Sequence, residues 1–163
     1  MPDAASAGRG TLCWRHSIRG VVVTASSQTL HHVGEWKVEL RADTIDEIFA
    51  ELARTLAEAT GSRRTSSAPR AWEHIELEAR DRAALLVDWA NELIGRSEVA
   101  GRAYGDVRNL ILEIGPADTA RLVADVRGDP VDEWVSPVKA ATYHGATVER
   151  QAGGWRAVLL FDV

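Results

Sequence analysis

Only one cysteine, Cys13, occurs in the 163 residues, so no internal disulfide framework can staple this chain. Cys13 and His16 stand near each other, but two potential ligands without a second pair fall short of a zinc site. Long apolar runs are missing as well. Nothing approaches the roughly 20 residues that span a bilayer, and the longest candidate for a signal core is the short run Val21-Val22-Val23. Positive charge is not in excess: 19 Lys and Arg against 24 Asp and Glu leave a net charge of -5, which argues against a protein whose main task is gripping phosphate backbones. Also absent are a glycine loop of Walker or Rossmann form, a G-x-S-x-G elbow, an H-E-x-x-H pair and a paired cysteine cluster. These absences predict a soluble, cytoplasmic protein with no organic cofactor.

What is present is enough chain for one domain with a real core and too little for two. Residues 1–28 lack sustained periodicity and are expected to be disordered, leaving a single domain over 29–163. Trp36, Val38, Leu40 and Ala42 alternate with Lys37, Glu39 and Arg41, the pattern of a strand with one wet face. The period then changes. Thr44 and Glu47 form a capping box before Ile45, Ile48, Phe49, Leu52 and Leu56, predicting a helix that stops at Gly61. After a loop with three arginines over 61–70, residues 72–79 read as a strand with His74 on its polar side, and Asp81 caps a helix predicted from Arg82 to Ile94, ended by Gly95. Strands follow at 110–114 and 120–126 around Gly115-Pro116-Ala117-Asp118, then at 138–144, 147–151 and 155–161, the last two joined at Gly153-Gly154. The final run is apolar on both faces and is therefore expected at the centre of its sheet. The order predicts an α+β, two-layer sandwich with two helices packed on a mostly antiparallel or mixed multi-stranded sheet.

Chemistry is concentrated at strand ends. Glu35 precedes the Trp36 strand, Asp162 follows Phe161, and Lys139 lies within the Val138 run. A carboxylate at the edge of a core strand is costly unless paired or bound to a cation. Two of them, with a main-chain oxygen at the same place, would be an oxygen-only set suited to Ca²⁺, Mg²⁺ or Mn²⁺. The alternative is that both are solvated and Lys139 pairs with one of them.

Three blocks carry a family resemblance. Leu85 to Ile94 reads L-L-V-D-W-A-N-E-L-I, Val138 to His144 reads V-K-A-A-T-Y-H, and the sequence closes on F-D-V. Each resembles the corresponding block of the archease family, and His32-Val33-Gly34-Glu35 stands where archeases have H-T-A-D. The resemblance implies metal ligation by Glu35, Asp162 and Val163, and functional positions at Asp43 and Lys139. Glu35 departs from the family's aspartate, being longer by about 1.5 Å, one carbon–carbon bond. A histidine that archeases carry after a G-E pair is replaced by a stretch running from Gly128-Asp129-Pro130 to Trp134. Within the helix block, Asp88, Asn91 and Glu92 look like a functional cluster, but Asp88 and Glu92 lie one turn apart on one exposed face, and core packing by Trp89 and Leu93 accounts for the apolar half.

The resemblance implies an accessory protein and not an enzyme. It would act on a GTP-dependent RNA ligase of the RtcB type, promoting guanylylation and multiple turnover in tRNA splicing or RNA repair, with RNA contacted only indirectly. Calcium, magnesium or manganese is the implied metal, a monomer the implied state, and no membrane is involved. The alternatives are a chaperone or modulator of RNA-modifying enzymes and a metal-dependent hydrolase.

Overall fold

The computed structural model describes residues 34–63, 71–134 and 138–163, together with the backbone of strands β1 (Leu12–Cys13), β2 (His16–Ile18), β3 (Val21–Val23) and β4 (Ser26–His32). The stretch 1–28, expected to be disordered, otherwise lies outside the described residues. So does most of the predicted arginine loop, after the short strand β6 (Gly61–Arg63).

Strand β5 (Glu35–Ala42) buries Trp36, Val38, Leu40 and Ala42 and turns the alternate residues outward. Helix α1 (Ile45–Thr60) starts at the predicted box: the Glu47 N–H donates to Thr44 Oγ1 at 3.4 Å while the Thr44 N–H donates to Glu47 Oε2 at 3.1 Å. It stops at Gly61, where an added Cβ would stand 2.1 Å from the Glu133 carbonyl oxygen. After β7 (Glu73–Ala79), helix α2 (Arg82–Ala100) begins where Asp81 accepts the Ala84 N–H at 2.7 Å.

The predicted end of α2 at Gly95 is incorrect. The helix continues to Gly101, whose φ of 63° closes it with an N–H bond to the Ser97 carbonyl. A glycine inside a helix costs about 1 kcal/mol, and burial of Ile94 and Ser97 on either side of Gly95 outweighs it.

Strands β8 (Arg102–Ile114) and β9 (Ala120–Trp134), joined by a 3₁₀ turn at Pro116–Asp118, are much longer than expected. Two register shifts in β8, one containing Asn109 at φ 51°, break its alternation. In β9, Gly128 is a strand residue because the Tyr104 ring lies over it, 3.2 Å from where a Cβ would be. The two runs expected at 138–144 and 147–151 are one strand, β10 (Ala140–Gln151), with a register shift between Thr142 and Thr147. β11 (Gly154–Asp162) closes the fold.

The strands divide between two larger antiparallel sheets, β1-β4-β5-β11-β10 and β6-β9-β7 with β8 also on β9, while β2 and β3 pair with each other. Antiparallel bonding of β11 to both β5 and β10 puts it inside its sheet, as its two apolar faces predicted. Helix α1 packs against β8 and β5, and α2 against β10, β7 and β8, so the helices share one core with both sheets. The indole N–H of fully buried Trp89 donates to the Phe49 carbonyl at 3.0 Å, tying the helices together. The class is α+β, two helices on antiparallel sheets. Among the described residues no helix is long and apolar enough to cross a membrane.

Candidate functional site

The β5–β11 register makes Glu35 and Asp162 direct cross-strand partners, one rung beyond the buried pair Trp36 and Phe161. Those two rings lie 5.0 Å apart between centroids and anchor the rung from below. The pleat then sends both carboxylates outward, with Cβ atoms about 5 Å apart, as for any directly opposed pair. Both are exposed, and among the described residues neither side chain has a hydrogen-bond or ion-pair partner. Like charges so placed repel, so a cation between them would be stabilising.

Two further groups reach this end of the sheet. The Lys139 N–H donates to the Asp162 carbonyl at 2.9 Å, and its Nζ donates to the Val163 main-chain oxygen at 3.0 Å. The Val163 N–H reaches the Gly34 carbonyl at 3.5 Å, on the turn between β4 and β5, where Gly34 adopts φ 85°. The Val163 side chain packs against the core. Glu35, Asp162, Val163 and Lys139 are therefore assembled from three strand ends.

Asp43 is not brought to them. It follows the far end of β5, roughly 25 Å along the strand by its rise per residue, where its N–H donates to Glu47 Oε2.

The donor set contains oxygen alone, which fits a hard divalent cation. Among the described residues no three His, Cys, Asp or Glu side chains gather as a metal cage. A cation held here would have the Val163 main-chain oxygen at the same strand end as the two carboxylates to add to them.

The same outer face is neutralised farther along. Glu39 takes two bonds from Arg156, at 2.8 and 3.0 Å, and others from Arg41, which also reaches Gln151. The Arg156 hydrogen bond, followed by the effect of Arg41, holds the Glu39 carboxyl down at about 2. Lys37, on the Glu35 face two positions along β5, is half-buried and has no partner among the described residues. Sequence reasoning passed over it because a lysine on a wet strand face is unremarked.

The first and second of the three sequence blocks meet in space. Asn91 Oδ1 accepts the Ala141 N–H at 2.8 Å and Nδ2 donates to the Ala141 carbonyl at 3.1 Å. Tyr143 donates its hydroxyl to Asp88, which raises the tyrosine pKa. Glu92 takes a 2.7 Å bond from Arg96, so the like-charge spacing of Asp88 and Glu92 is compensated at both ends. The sequence marks Asn91 only as part of the polar group Asp88, Asn91 and Glu92 and does not single out Tyr143; the signal for their contact is the co-occurrence of two polar-bearing blocks, one helical and one extended.

A model of the Archease protein family (MTH1598/TM1083) matches residues 28–163. Protein archease of Methanopyrus kandleri is 29% identical over 140 residues, covering 83% of this chain and 98% of that protein. Protein archease of Thermococcus gammatolerans is 30% identical over 137 residues, covering 81% and 94%. In three dimensions the chain is similar to the solution structure of Methanobacterium thermoautotrophicum protein 1598, with a TM-score of 0.66 at 19% identity over 83% of this chain and 96% of that one. It is also similar to the crystal structure of an archease from Thermotoga maritima, described as a possible chaperone, with a TM-score of 0.54 at 18% identity, covering 82% and 94%.

Proposed function

The chain belongs to the archease protein family, and from that premise we propose that it is an accessory factor for a GTP-dependent RNA ligase of the RtcB type, without turnover of its own. It docks transiently at the ligase's nucleotide site and promotes formation of the guanylate adduct, so that the ligase works repeatedly in tRNA splicing or RNA repair. Glu35, Asp162 and the Val163 main-chain oxygen would hold a divalent cation, calcium, magnesium or manganese, which would supply positive charge for nucleotide phosphates. Lys139, fixed on Val163, adds a second positive charge beside it, and Asp43 is a separate contact candidate at the opposite end of β5.

The observation that carries this reading is the Glu35–Asp162 rung with Lys139 bonded across its end. An exposed carboxylate pair on a core rung, without a basic partner among the described residues, is unfavourable for the isolated protein. It gains a purpose as a cation site. The net charge of -5 favours a basic protein cleft as partner over naked RNA.

The test mixes this protein with the RNA ligase of the same organism, GTP and Mn²⁺, and follows covalent guanylate and multiple-turnover ligation. Both are expected to rise with added protein, and to rise less with Asp162→Ala. Unchanged adduct and turnover would overturn the proposal. Recovery of other RNA-modifying enzymes from native lysate in place of the ligase would then favour the chaperone reading.

A further inference from the structure

We propose that Asn91 is a positioning residue for the Glu35–Asp162–Lys139 site: its carboxamide holds the start of β10, and through it Lys139, against the main chain of Asp162 and Val163. The purpose assigned to Lys139 rests on the function proposed above; the mechanical link does not.

Strand β10 is the last in its sheet, so among the described residues one side of its backbone has no strand neighbour. At Ala141 that side is occupied by Asn91, which satisfies the N–H at 2.8 Å and the carbonyl at 3.1 Å as an adjoining strand would. Few side chains can do this. A carboxamide offers one donor and one acceptor on a planar group, whereas aspartate offers only acceptors and lysine only donors. Asparagine is also a poor residue for a helix interior, so its half-buried place in α2 is disfavoured unless those bonds compensate.

A second tie lies one turn back, where Tyr143 donates to Asp88. Residues 88 and 91 of the helix thus meet 143 and 141 of the strand, so α2 runs antiparallel along β10. The same line leads back along the chain to Lys139. There the strand makes its contacts with the site, N–H to the Asp162 carbonyl and Nζ to the Val163 main-chain oxygen. Ala141 itself pairs with Phe161, the aromatic that supports the carboxylate rung. Asn91 touches none of the ligating oxygens. It acts two residues away, by fixing the backbone from which Lys139 projects.

The experiment compares Asn91→Ala and Asn91→Asp with Tyr104→Phe, which removes a 2.7 Å hydrogen bond to Glu73 elsewhere on the molecule. Amide hydrogen exchange is followed at Lys139, with the core amide of Leu159 as the measure of global stability. In Asn91→Ala, Lys139 protection is expected to fall by about tenfold more than Leu159 protection, the equivalent of one to two backbone hydrogen bonds. Asn91→Asp, which keeps the acceptor for the Ala141 N–H, should fall in between. In Tyr104→Phe the two amides should move together. Calorimetric Mn²⁺ affinity should weaken several-fold in Asn91→Ala and stay unchanged in Tyr104→Phe.

Lys139 and Leu159 falling in step in Asn91→Ala would overturn the proposal, as would an unaltered Mn²⁺ affinity in a protein whose wild type binds the ion. Absence of Mn²⁺ binding by the wild type would count against the cation reading alone, with the exchange comparison still deciding the role of Asn91. If Asn91→Ala does not fold, Asn91→Asp is judged by the same two measures.

Discussion

Glu35 and Asp162 repel each other on a rung that has no basic partner among the described residues. Neutralising one should therefore help the isolated protein and harm the cation-bound one. Asp162→Asn is expected to be more stable than wild type in chelator, by about 0.2–1 kcal/mol, and to lose most of the rise in thermal midpoint that Mn²⁺ gives the wild type. A full Mn²⁺-induced rise in Asp162→Asn, measured by thermal denaturation, would rule out this ligand. Glu39 makes the opposite case. Its carboxyl is held near 2 in the folded chain against an ordinary 4.5, chiefly by the Arg156 hydrogen bond. A depressed pKa contributes stability that is complete above about 4.5 and is lost as pH falls toward about 2. Arg156→Gln should accordingly raise the Glu39 pKa in an NMR titration and flatten the loss of urea resistance between neutral and acid pH.

At the scale of the element, most of the helical reading came through because caps are local chemistry. Thr44 with Glu47 and Asp81 before Ala84 both stand where the spacing put them. Gly95 misled because a glycine is a stop only when the chain needs a left-handed residue, and here the left-handed residue is Gly101. The two should separate cleanly on mutation. Gly95→Ala, with open space at the Cβ, should stabilise by about 0.5–1 kcal/mol. Gly101→Ala, forced to keep φ 63°, should destabilise by about 1 kcal/mol or more. Chemical denaturation of the two variants side by side checks both, and equal signs would show that the helix ends elsewhere in solution. Strands were harder to delimit. Alternation fails wherever a ladder shifts register, as β8 does twice and β10 once, so only the regular stretches of each could be read.

Across the whole molecule the sequence revealed which strand was central but not how the strands divide into sheets, since pairing of distant segments leaves no local mark. The candidate site was legible for a related reason: Glu35 and Asp162 announce themselves as charges at the ends of apolar runs, and Lys139 as a charge within one. Asn91 shows in the sequence only as one of the polar group Asp88, Asn91 and Glu92; its bond to β10 does not show, because a side chain that completes another element's backbone looks like any polar helical residue. Among the described residues β11 carries the longest-range pairing, to β5, and its Phe161 is fully buried. Phe161→Ala is expected to cost about 3–5 kcal/mol and to abolish any cation response together with cooperative unfolding, read by urea titration with and without Mn²⁺. Loss of stability with an intact cation response would detach the carboxylate rung from the core beneath it.

The pairing of β5 with β11 also sets an order of events during synthesis. Glu39 and Arg156, which bond across this joint, are 117 residues apart, so β5 leaves the ribosome on the order of ten seconds before the strand that completes it. Through that interval Trp36, Val38 and Leu40 have half their sheet missing, and a nascent chain of this kind is a client for whatever cellular machinery shelters unfinished hydrophobic surface. Slow or stalled translation between the two strands should therefore lower the yield of native protein more than an equal delay placed within either terminal hairpin.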